Sequence, residues 1–363
     1  MKRPHGHIAA LGRMAWAVLA ALAFAAPVGA GERVTWTNHA ALHAEYDDNV
    51  YKTTDDVEGD LLARVFFDSK LDLHPNRANL VTLDYTLGAK KFADLIDQDT
   101  LINQVMMQYE NTTISNTYIG GDATLKLRNI RDGEEDYNKV ILNSFAGHYF
   151  ARGVSGQVNA SYTRFDFRNY DYYDYWTQAY GIELNKSISH ALGFGVHYLI
   201  EDKNYPFFAF ENVVSDRDSV FLDETDELRQ DTLHEVGFKF SSFYFVLVNF
   251  AYDFQVNDSN SYGDSYYHHR LRLMVSKSLT PTTNLHLFAV ANFRDSDEQV
   301  LIPHSYSVEE DDENYNQLVA KLNRKVGERI WLEARYARFW SQYSVSQFNF
   351  SKNVYSLGAS FNF

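Results

Sequence analysis

Apolar and polar residues alternate along most of the chain with a period of two. In the first such segment Val34, Trp36 and Leu42 occupy one parity, while Thr35 and His43 occupy the other. Successive side chains of a strand point to opposite faces, so this pattern predicts strands with one apolar and one polar face. The whole chain contains about sixteen such segments, within a range of about 14–18, and residues 100–127 are the least regular part.

The connections between these segments alternate between short and long. Short connections contain Pro75, Gly153 or Gly327, and the long ones cover residues 47–60, 201–231, 294–314 and 339–353. Tight turns at one end and larger loops at the other are typical of a transmembrane barrel, with the turns in the periplasm. The pattern therefore predicts an all-β fold, a single transmembrane antiparallel β-barrel with an even number of strands.

The physics of the bilayer favours a closed sheet. Hydrocarbon offers no partner to a backbone N–H or C=O, so only helices and closed sheets can cross it. No apolar stretch after Ala26 is long enough for a helical span, which needs about 20 residues. The alternative is a soluble β-sandwich or propeller, but these folds need frequent turns at both ends, and here one set of loops is repeatedly long.

The first residues predict export. Lys2, Arg3 and Arg13 precede an apolar run over residues 15–26, and small residues follow at 28–30. This order is typical of a secretory signal peptide. A membrane anchor is the alternative, but the apolar run is shorter than the about 20 residues of a helical span. We therefore expect residues 1–30 to be a signal peptide and residues 31–363 to form a barrel in the bacterial outer membrane.

Composition limits the classes of partner and cofactor that the chain could bind. The formal net charge is -15, and loss of the predicted signal peptide would make the chain more acidic, which argues against nucleic acid as a partner. Cysteine is absent, which excludes disulfides, thiolate metal sites and covalently attached c-type haem. No cofactor is expected. The outer-membrane lipid and lipopolysaccharide are the expected surroundings.

Charged residues of both signs occupy the polar parity, which would line the interior. A barrel of sixteen strands is wide enough for an aqueous channel, and charges inside it tune which solutes pass. For any one residue, an ion pair that stiffens the wall is the simpler alternative. The predicted pore-lining residues are Arg64, Asp68, Lys70, Asp72, Asp84, Lys126, Arg128, Arg270, Arg272, Lys321, Glu333 and Arg335.

Within this set, a basic strip could face an acidic one across the lumen. Guanidinium groups contact carboxylates and phosphates in pairs of hydrogen bonds, so such a field would orient an anionic solute. The candidates are Arg270, Arg272 and Arg335 for the basic strip, and Asp68, Asp72 and Asp84 for the acidic one.

Three predicted outer loops carry acidic runs. A solvated loop is the default for such a run, and divalent cations bridging it to lipopolysaccharide are the alternative. The fifth loop also contains the apolar run 205–210, which we expect to fold onto the barrel mouth or into it. The acidic residues are Asp55, Asp56, Glu58 and Asp60 in the first loop, Asp223, Glu224, Asp226 and Glu227 in the fifth, and residues 309–313 in the seventh.

Motifs of common enzymes are missing from the sequence. It contains no Gly-x-Ser-x-Gly, no His-Glu-x-x-His and no glycine-rich phosphate loop. The adjacent His268 and His269 would point to opposite faces of a strand, so they cannot chelate one ion. We expect no enzymatic activity, and an outer-membrane hydrolase is the alternative.

The last nine residues, Tyr355 to Phe363 ("YSLGASFNF"), resemble the C-terminal signature of bacterial outer-membrane β-barrels. Tyr355, Leu357, Phe361 and Phe363 share one parity, and we expect this strand to close against the first, with Phe363 at an aromatic girdle. The resemblance implies recognition of these four residues by the barrel assembly machinery.

Residues 46–51 ("YDDNVY") resemble the Y-[DS]-x-N-[VI] opening of outer-membrane β-barrel porins associated with exopolysaccharide production and export. The resemblance covers these six residues, the strand layout and the overall length. It implies a channel that conducts a sugar polymer or assists its secretion, with polysaccharide export components as partners. Aromatic residues such as Tyr175 and Trp176 suit sugar stacking or a membrane girdle. The alternative is a loop-plugged barrel that acts as a receptor, an adhesin or a scaffold.

Overall fold

A computed structural model describes residues 33–112, 114–132, 136–150, 153–169, 174–216, 219–296, 315–341 and 349–363. These ranges contain sixteen strands and a 3₁₀ turn at Ile96–Gln98. None of their helical segments has the length and apolar character needed to cross a membrane. The predicted signal peptide (1–30) and the seventh acidic run (309–313) lie outside the described residues.

The strands follow one another along the chain, with lengths of 10 to 25 residues. They are β1 (Arg33–Asp47), β2 (Asp60–Asn76), β3 (Asn79–Phe92), β4 (Thr100–Asn111), β5 (Thr117–Ile130), β6 (Tyr137–Tyr149), β7 (Val154–Phe167), β8 (Tyr175–Ser189), β9 (Leu192–Asp216), β10 (Ser219–Phe243), β11 (Leu247–Ser259), β12 (Tyr266–Thr280), β13 (Thr283–Ser296), β14 (Asn316–Lys325), β15 (Ile330–Trp340) and β16 (Ser351–Asn362).

The sheet closes on itself into an antiparallel barrel. Each strand pairs with its neighbours in the chain, and β1 pairs with β16. Their register runs from His39 opposite Asn362 to Asp47 opposite Val354. The backbone of Phe363 exchanges two hydrogen bonds with Asn38, at 2.9 and 3.0 Å. The predicted fold, a closed barrel of about sixteen strands, is therefore confirmed, and the pairing of β1 with β16 covers the edges that an open sheet would leave free there.

The two ends of the barrel differ as the alternating connections predict. At one end strands meet across short turns, such as the one between Asn76 and Asn79. At the other end the connections are longer, such as residues 48–59 between β1 and β2. We call these the turn end and the loop end. β1 begins and β16 ends at the turn end.

The fifth long connection is not a loop, which corrects the prediction for residues 201–231. β9 and β10 are each 25 residues long, and as one hairpin they stay paired with each other far beyond the ends of β8 and β11. The acidic run Asp223 to Glu227 therefore belongs to a strand, with its carboxylates exposed. The run 205–210 is apolar at both parities, so it lacks the alternation that predicts a strand. Its aromatic residues nevertheless favour strand structure.

Asp60 also departs from the prediction of a solvated loop residue. It begins β2 and is 4% exposed. Its Oδ2 accepts the backbone N–H groups of Asp94 and Leu95, at 2.9 and 2.8 Å. A carboxylate takes such bonds because they replace the water that burial removes. Asp60 thus anchors the connection between β3 and β4.

The two faces of the wall have opposite character. Large exposed apolar side chains occupy one parity, for example Trp36 and Leu357 with exposed fractions of 67% and 68%. The other parity carries charged side chains that meet across a whole strand, as Lys239 on β10 meets Glu183 on β8 at 3.1 Å. Strands lie about 4.8 Å apart, so such contacts form on the concave side. The charged parity therefore lines the interior.

Candidate functional site in the barrel interior

The strand registers place all of the predicted pore-lining residues on the interior parity. They lie on β2, β3, β5, β12, β14 and β15. Most of them contact a partner in the wall, and together they form several separate groups.

The group on β2 and β3 pairs opposite charges. Arg64 contacts Glu45 of β1 at 2.9 Å, and the Glu45 side chain is 2% exposed. Lys70 contacts Asp72 at 3.4 Å and lies opposite Asp84 in the register, with 44% of its side chain exposed. Threonines of β3 donate to two of the acidic groups, Thr82 to Asp72 at 2.6 Å and Thr86 to Asp68 at 3.1 Å.

The proposed basic strip is divided between two places. Arg270 and Arg272 of β12 both donate to Oδ2 of Asp253, at 3.3 and 2.8 Å. Arg335 lies three strands away, on β15. The acidic residues of β2 and β3 lie six and seven strands from β12, close to the opposite side of a sixteen-stranded barrel. The arginines of β12 therefore face that wall with their charge already paired to Asp253.

Lys321, Glu333 and Arg335 form a group of their own. Lys321 contacts Glu333 at 2.8 Å, and Arg335 lies opposite Lys321 in the register. The Ser360 hydroxyl donates to Oε1 of Glu333 at 2.8 Å. This group stands beside the seam between β1 and β16.

Lys126 and Arg128 lie over an aromatic cluster at the loop end. Both contact the ring of Tyr137, at 5.9 and 5.8 Å from its centroid. Tyr137 packs with Phe165 and Phe167, and all three rings are buried. Cations are attracted to such ring faces. Lys139 lies over the ring of Phe165, and Lys203 lies over the ring of Tyr175 at 3.8 Å. We call the following residues the basic-aromatic patch: Lys126, Arg128, Tyr137, Lys139, Phe165, Phe167, Tyr175 and Lys203.

Two histidine bridges in the wall were not predicted. In each bridge, a histidine side chain passes over a glycine on the neighbouring strand and contacts a carboxylate on the strand beyond it. In the seam bridge, His43 of β1 passes over Gly358 of β16 and approaches Glu333 of β15 at 3.7 Å. A Cβ atom at Gly358 would lie 2.4 Å from the His43 Nδ1 atom, so only glycine leaves this passage open.

The second bridge, the β9–β11 bridge, has the same construction. His197 of β9 passes over Gly237 of β10 and reaches Asp253 of β11 at 3.5 Å. A Cβ atom at Gly237 would lie 1.9 Å from the His197 Cε1 atom. Glycine inside a strand permits close approach of a neighbour. The sequence shows such glycines, but only the strand register shows which side chain crosses each one.

The motif at residues 46–51 fastens the first loop to β16. Asp48 accepts hydrogen bonds from the backbone and side chain of Asn353, at 2.6 and 2.7 Å. Asn49 is 1% exposed and donates to the backbone carbonyls of Thr53 and Ser351, at 2.8 and 3.2 Å. Asp47 contacts Lys352 at 2.6 Å. These bonds give the motif a structural role at the loop end of the seam.

The same loop contacts the connection between β3 and β4. The Tyr51 hydroxyl donates to Oδ2 of Asp97 at 2.9 Å. Loss of hydration and this bond raise the pKa of Tyr51 to about 12. Hydrogen bonds from Gln98 and Tyr51 lower the pKa of Asp97.

A buried ion cluster anchors the long hairpin of β9 and β10. Arg229 contacts Asp231 at 2.7 Å and Asp264 at 2.8 Å, and all three side chains are buried. The ring of Tyr205 lies against the Arg229 guanidinium at 4.3 Å, and its hydroxyl donates to Asp231. The apolar run 205–210 thus packs onto the barrel mouth as part of a strand.

Three residues of the predicted assembly signal lie on the outward parity of β16, and Phe363 follows this strand directly with the same parity. Tyr355, Leu357, Phe361 and Phe363 are all exposed. His268 and His269 point to opposite faces, since His268 contacts Gln255 inside and His269 contacts Tyr252 outside.

Comparison with known proteins gives likeness of structure only. No protein-family model matches the chain, and no curated protein sequence matches it. Among solved structures, opdK of Pseudomonas aeruginosa, an outer membrane protein, is similar at a TM-score of 0.48 and 8% identity, over 91% of this chain and 99% of that one. Acinetobacter baumannii OccAB3 is similar at a TM-score of 0.47 and 8% identity, over 90% and 99%. A bacterial polysaccharide outer membrane secretin is similar at a TM-score of 0.43 and 10% identity, over 89% and 97%.

Proposed function

We propose that this chain is an outer-membrane channel for polar solutes. The observation that carries the proposal is the contrast between the two faces of a closed barrel. The outward face exposes large apolar side chains, which suits lipid. The inward face carries charges that are partly exposed, such as Lys70 and Lys239 with 44% and 45% of their side chains accessible. Charged groups avoid a dry interior, so a wet lumen explains both faces.

A sugar polymer is the solute class that we propose for this channel. Residues 46–51 supply the resemblance to porins associated with exopolysaccharide. The basic-aromatic patch supplies a second support, because rings such as Tyr175 offer flat apolar faces and Lys203 offers charge beside them. Both features lie at the loop end. In this proposal polysaccharide export components would be partners on the turn side.

A plugged barrel that serves as a receptor, adhesin or scaffold is the second candidate. The observation that favours it is burial on the inward parity at the loop end. Tyr137, Phe165, Ala337 and Phe339 are each less than a tenth exposed although they face inward. Side chains fill at least part of that end of the lumen.

Planar-bilayer recording of the purified protein distinguishes the two candidates. We expect steady ohmic single-channel steps, and addition of an acidic oligosaccharide should interrupt the current more than a neutral polymer of equal size. A membrane that stays silent at high protein load would support the plugged barrel. A current that no saccharide blocks would support the channel and contradict a sugar polymer as its solute.

We also propose that the outward residues of β16 are read by the barrel assembly machinery and that the protein catalyses no reaction. Phe363→Ser should reduce the amount of folded barrel in the outer membrane. Hydrolysis of outer-membrane lipid by the purified protein would contradict the second statement. Lipopolysaccharide is the expected neighbour of the outward face.

A further inference from the structure

We propose that His197, Glu235 and Asp253 bind a divalent transition-metal ion on the inner wall of β9, β10 and β11. Each residue offers one ligand atom, namely Nε2 of His197, Oε1 of Glu235 and Oδ1 of Asp253. These atoms lie within 4.8 Å of one another. No other group of three such residues comes this close within the described ranges.

The separations match those of ligands around one ion. Nε2 of His197 is 2.9 Å from Oε1 of Glu235 and 3.5 Å from Oδ1 of Asp253. Two ligands at about 2.1 Å from an ion, at angles between octahedral and tetrahedral, are about 3.0–3.4 Å apart. Small adjustments of the side chains would therefore bring all three atoms to bonding distance of a shared ion.

The two carboxylates divide their oxygens between the ion site and the rest of the wall. Oδ2 of Asp253 accepts from Arg270 and Arg272, at 3.3 and 2.8 Å. Oε2 of Glu235 accepts from Gln255 at 2.6 Å. The other oxygen of each carboxylate turns toward His197. Hydrogen bonds of this kind to the outer atoms of ligands hold them in place and are usual at metal sites.

A buried acceptor without a donor points to a missing partner. The Asp253 side chain is 0% exposed, and its Oδ1 atom accepts no hydrogen bond. A buried oxygen left in this state costs about 1–3 kcal/mol. An ion between Oδ1 and His197 would satisfy it. Gly237 leaves the room that the imidazole needs, because a Cβ atom there would overlap the ring.

The seam bridge shows what a histidine bridge without a site looks like. Oε1 of Glu333 accepts from Ser360 and Oε2 contacts Lys321, so both oxygens of Glu333 already have partners other than the histidine. In the β9–β11 bridge, Oε1 of Glu235 contacts only His197 among the described residues. His43 is therefore a matched control for His197, with the same glycine crossing and a carboxylate beyond it.

One imidazole and two carboxylates favour a borderline ion such as Zn²⁺ over Ca²⁺, which prefers oxygen ligands alone. Bound Zn²⁺ would link three adjacent strands and add two positive charges to the lumen wall. Ion binding at this wall does not depend on conduction, because it can be measured on a barrel that proves to be plugged.

Calorimetric titration of the full chain, folded in detergent, with Zn²⁺ alone tests the proposal. We expect the wild type and His43→Gln to bind one equivalent more than His197→Gln, or to bind it at least tenfold more tightly. The same difference should appear as visible absorption on titration with Co²⁺. Circular dichroism and the heat-dependent gel mobility of folded barrels confirm that each variant is folded.

Glu235→Gln serves as the second variant if His197→Gln does not fold, and it should lose the same equivalent. Equal Zn²⁺ binding by the wild type and a folded His197 or Glu235 variant would overturn the proposal. Absence of Zn²⁺ binding by the wild type would overturn it as well. Stronger binding of Ca²⁺ than of Zn²⁺ would contradict the assigned ion class.

Discussion

The seam bridge and the β9–β11 bridge share one construction and differ in what stands at its far end. In both, an imidazole crosses an inward-facing glycine and approaches a carboxylate two strands away. At the seam, the two oxygens of Glu333 contact Lys321 and Ser360, and its side chain is 9% exposed. In the other bridge, Asp253 is fully buried between two arginines and keeps one oxygen toward His197. The partners of the carboxylate, more than the histidine, decide whether such a contact stiffens the wall or forms a site.

The two regions also close the sheet in different ways. β9, β10 and β11 follow one another along the chain and pair in that order, so chain connectivity holds this wall together. The seam joins the first strand to the last, and no turn connects them. The seam is reinforced instead by Asp47, Asp48 and Asn49, which bond to the beginning of β16.

Removal of the carboxylate should give the largest difference in stability between the two bridges. Asp253→Ala leaves the guanidiniums of Arg270 and Arg272 without their shared buried anion, and we expect a loss of about 3 kcal/mol in the free energy of unfolding. Glu333→Ala should cost about 1 kcal/mol, because Lys321 is 36% exposed and water can replace its partner. Urea unfolding in lipid vesicles, followed by tryptophan fluorescence, measures both. Equal losses would mean that the two environments are energetically alike.

Filling the glycine crossings should have the next largest effect. Gly237→Ala and Gly358→Ala should each cost about 2 kcal/mol through overpacking. Removal of the histidine in a double mutant should recover more than half of the cost at Gly237, where the nearest atoms belong to side chains. Recovery should be small at Gly358, because a Cβ there also meets the backbone oxygen of Leu42 at 2.5 Å.

The same urea unfolding experiment provides the measurement for this double-mutant cycle. His197→Ala and His43→Ala alone serve as the matched reference variants. Similar recovery at both glycines would contradict this prediction, because it would show that the backbone contact at Gly358 is readily relieved.

The hydrogen bonds of Asn49, which hold the first loop to β16 at the seam, should stabilise the fold more than a single buried hydrogen bond near the β9–β11 bridge. Asn49→Ala removes a buried amide that donates to Thr53 and Ser351, and we expect a loss of about 2 kcal/mol. Asn257→Ala, at the loop end of β11, removes the bond to the Asp264 carbonyl and should cost about 1 kcal/mol. Thermal unfolding in detergent compares the two variants. A smaller effect at Asn49 would remove the fastening role of the motif.

The smallest effect should come from the contact of the seam loop with Asp97. The raised pKa of Tyr51 and the lowered pKa of Asp97 favour a neutral phenol beside a carboxylate. The Tyr51 contribution is therefore fully present below the usual pKa of about 10 and is lost as the pH rises through about 12. The Asp97 contribution is present above its usual pKa of about 3.9 and is lost as the pH falls through the lower folded value.

Proteolysis of the loop at a series of pH values measures this contact. In the wild type, cleavage should increase above pH about 10. Tyr51→Phe should cleave faster at neutral pH and lose the alkaline dependence. A profile that Tyr51→Phe leaves unchanged would assign the alkaline change to another group.

Several parts of the molecule could be predicted from local pattern. The parity of Val34, Trp36 and Leu42 assigned the outward face of β1 correctly, because the alternation of side chains in a strand is a property of the strand itself. The same rule placed His268 and His269 on opposite faces. It failed for the run 205–210, where both parities are apolar and no alternation marks a strand. It also failed for Asp60, whose burial depends on backbone groups of Asp94 and Leu95 far along the chain.

The sequence by itself indicated about sixteen strands, the two faces of most of them and most of the alternation of short and long connections, since each depends on residues within a few positions of one another. Only the tertiary structure decided that Gly237 lies under His197, that Asp253 stands beyond it, and that β9 and β10 extend past the rim. These features depend on register between strands, and the register is set by pairing across the sheet. The candidate metal site belongs to this second class, because its three ligands come from three strands and no spacing along the chain brings them together.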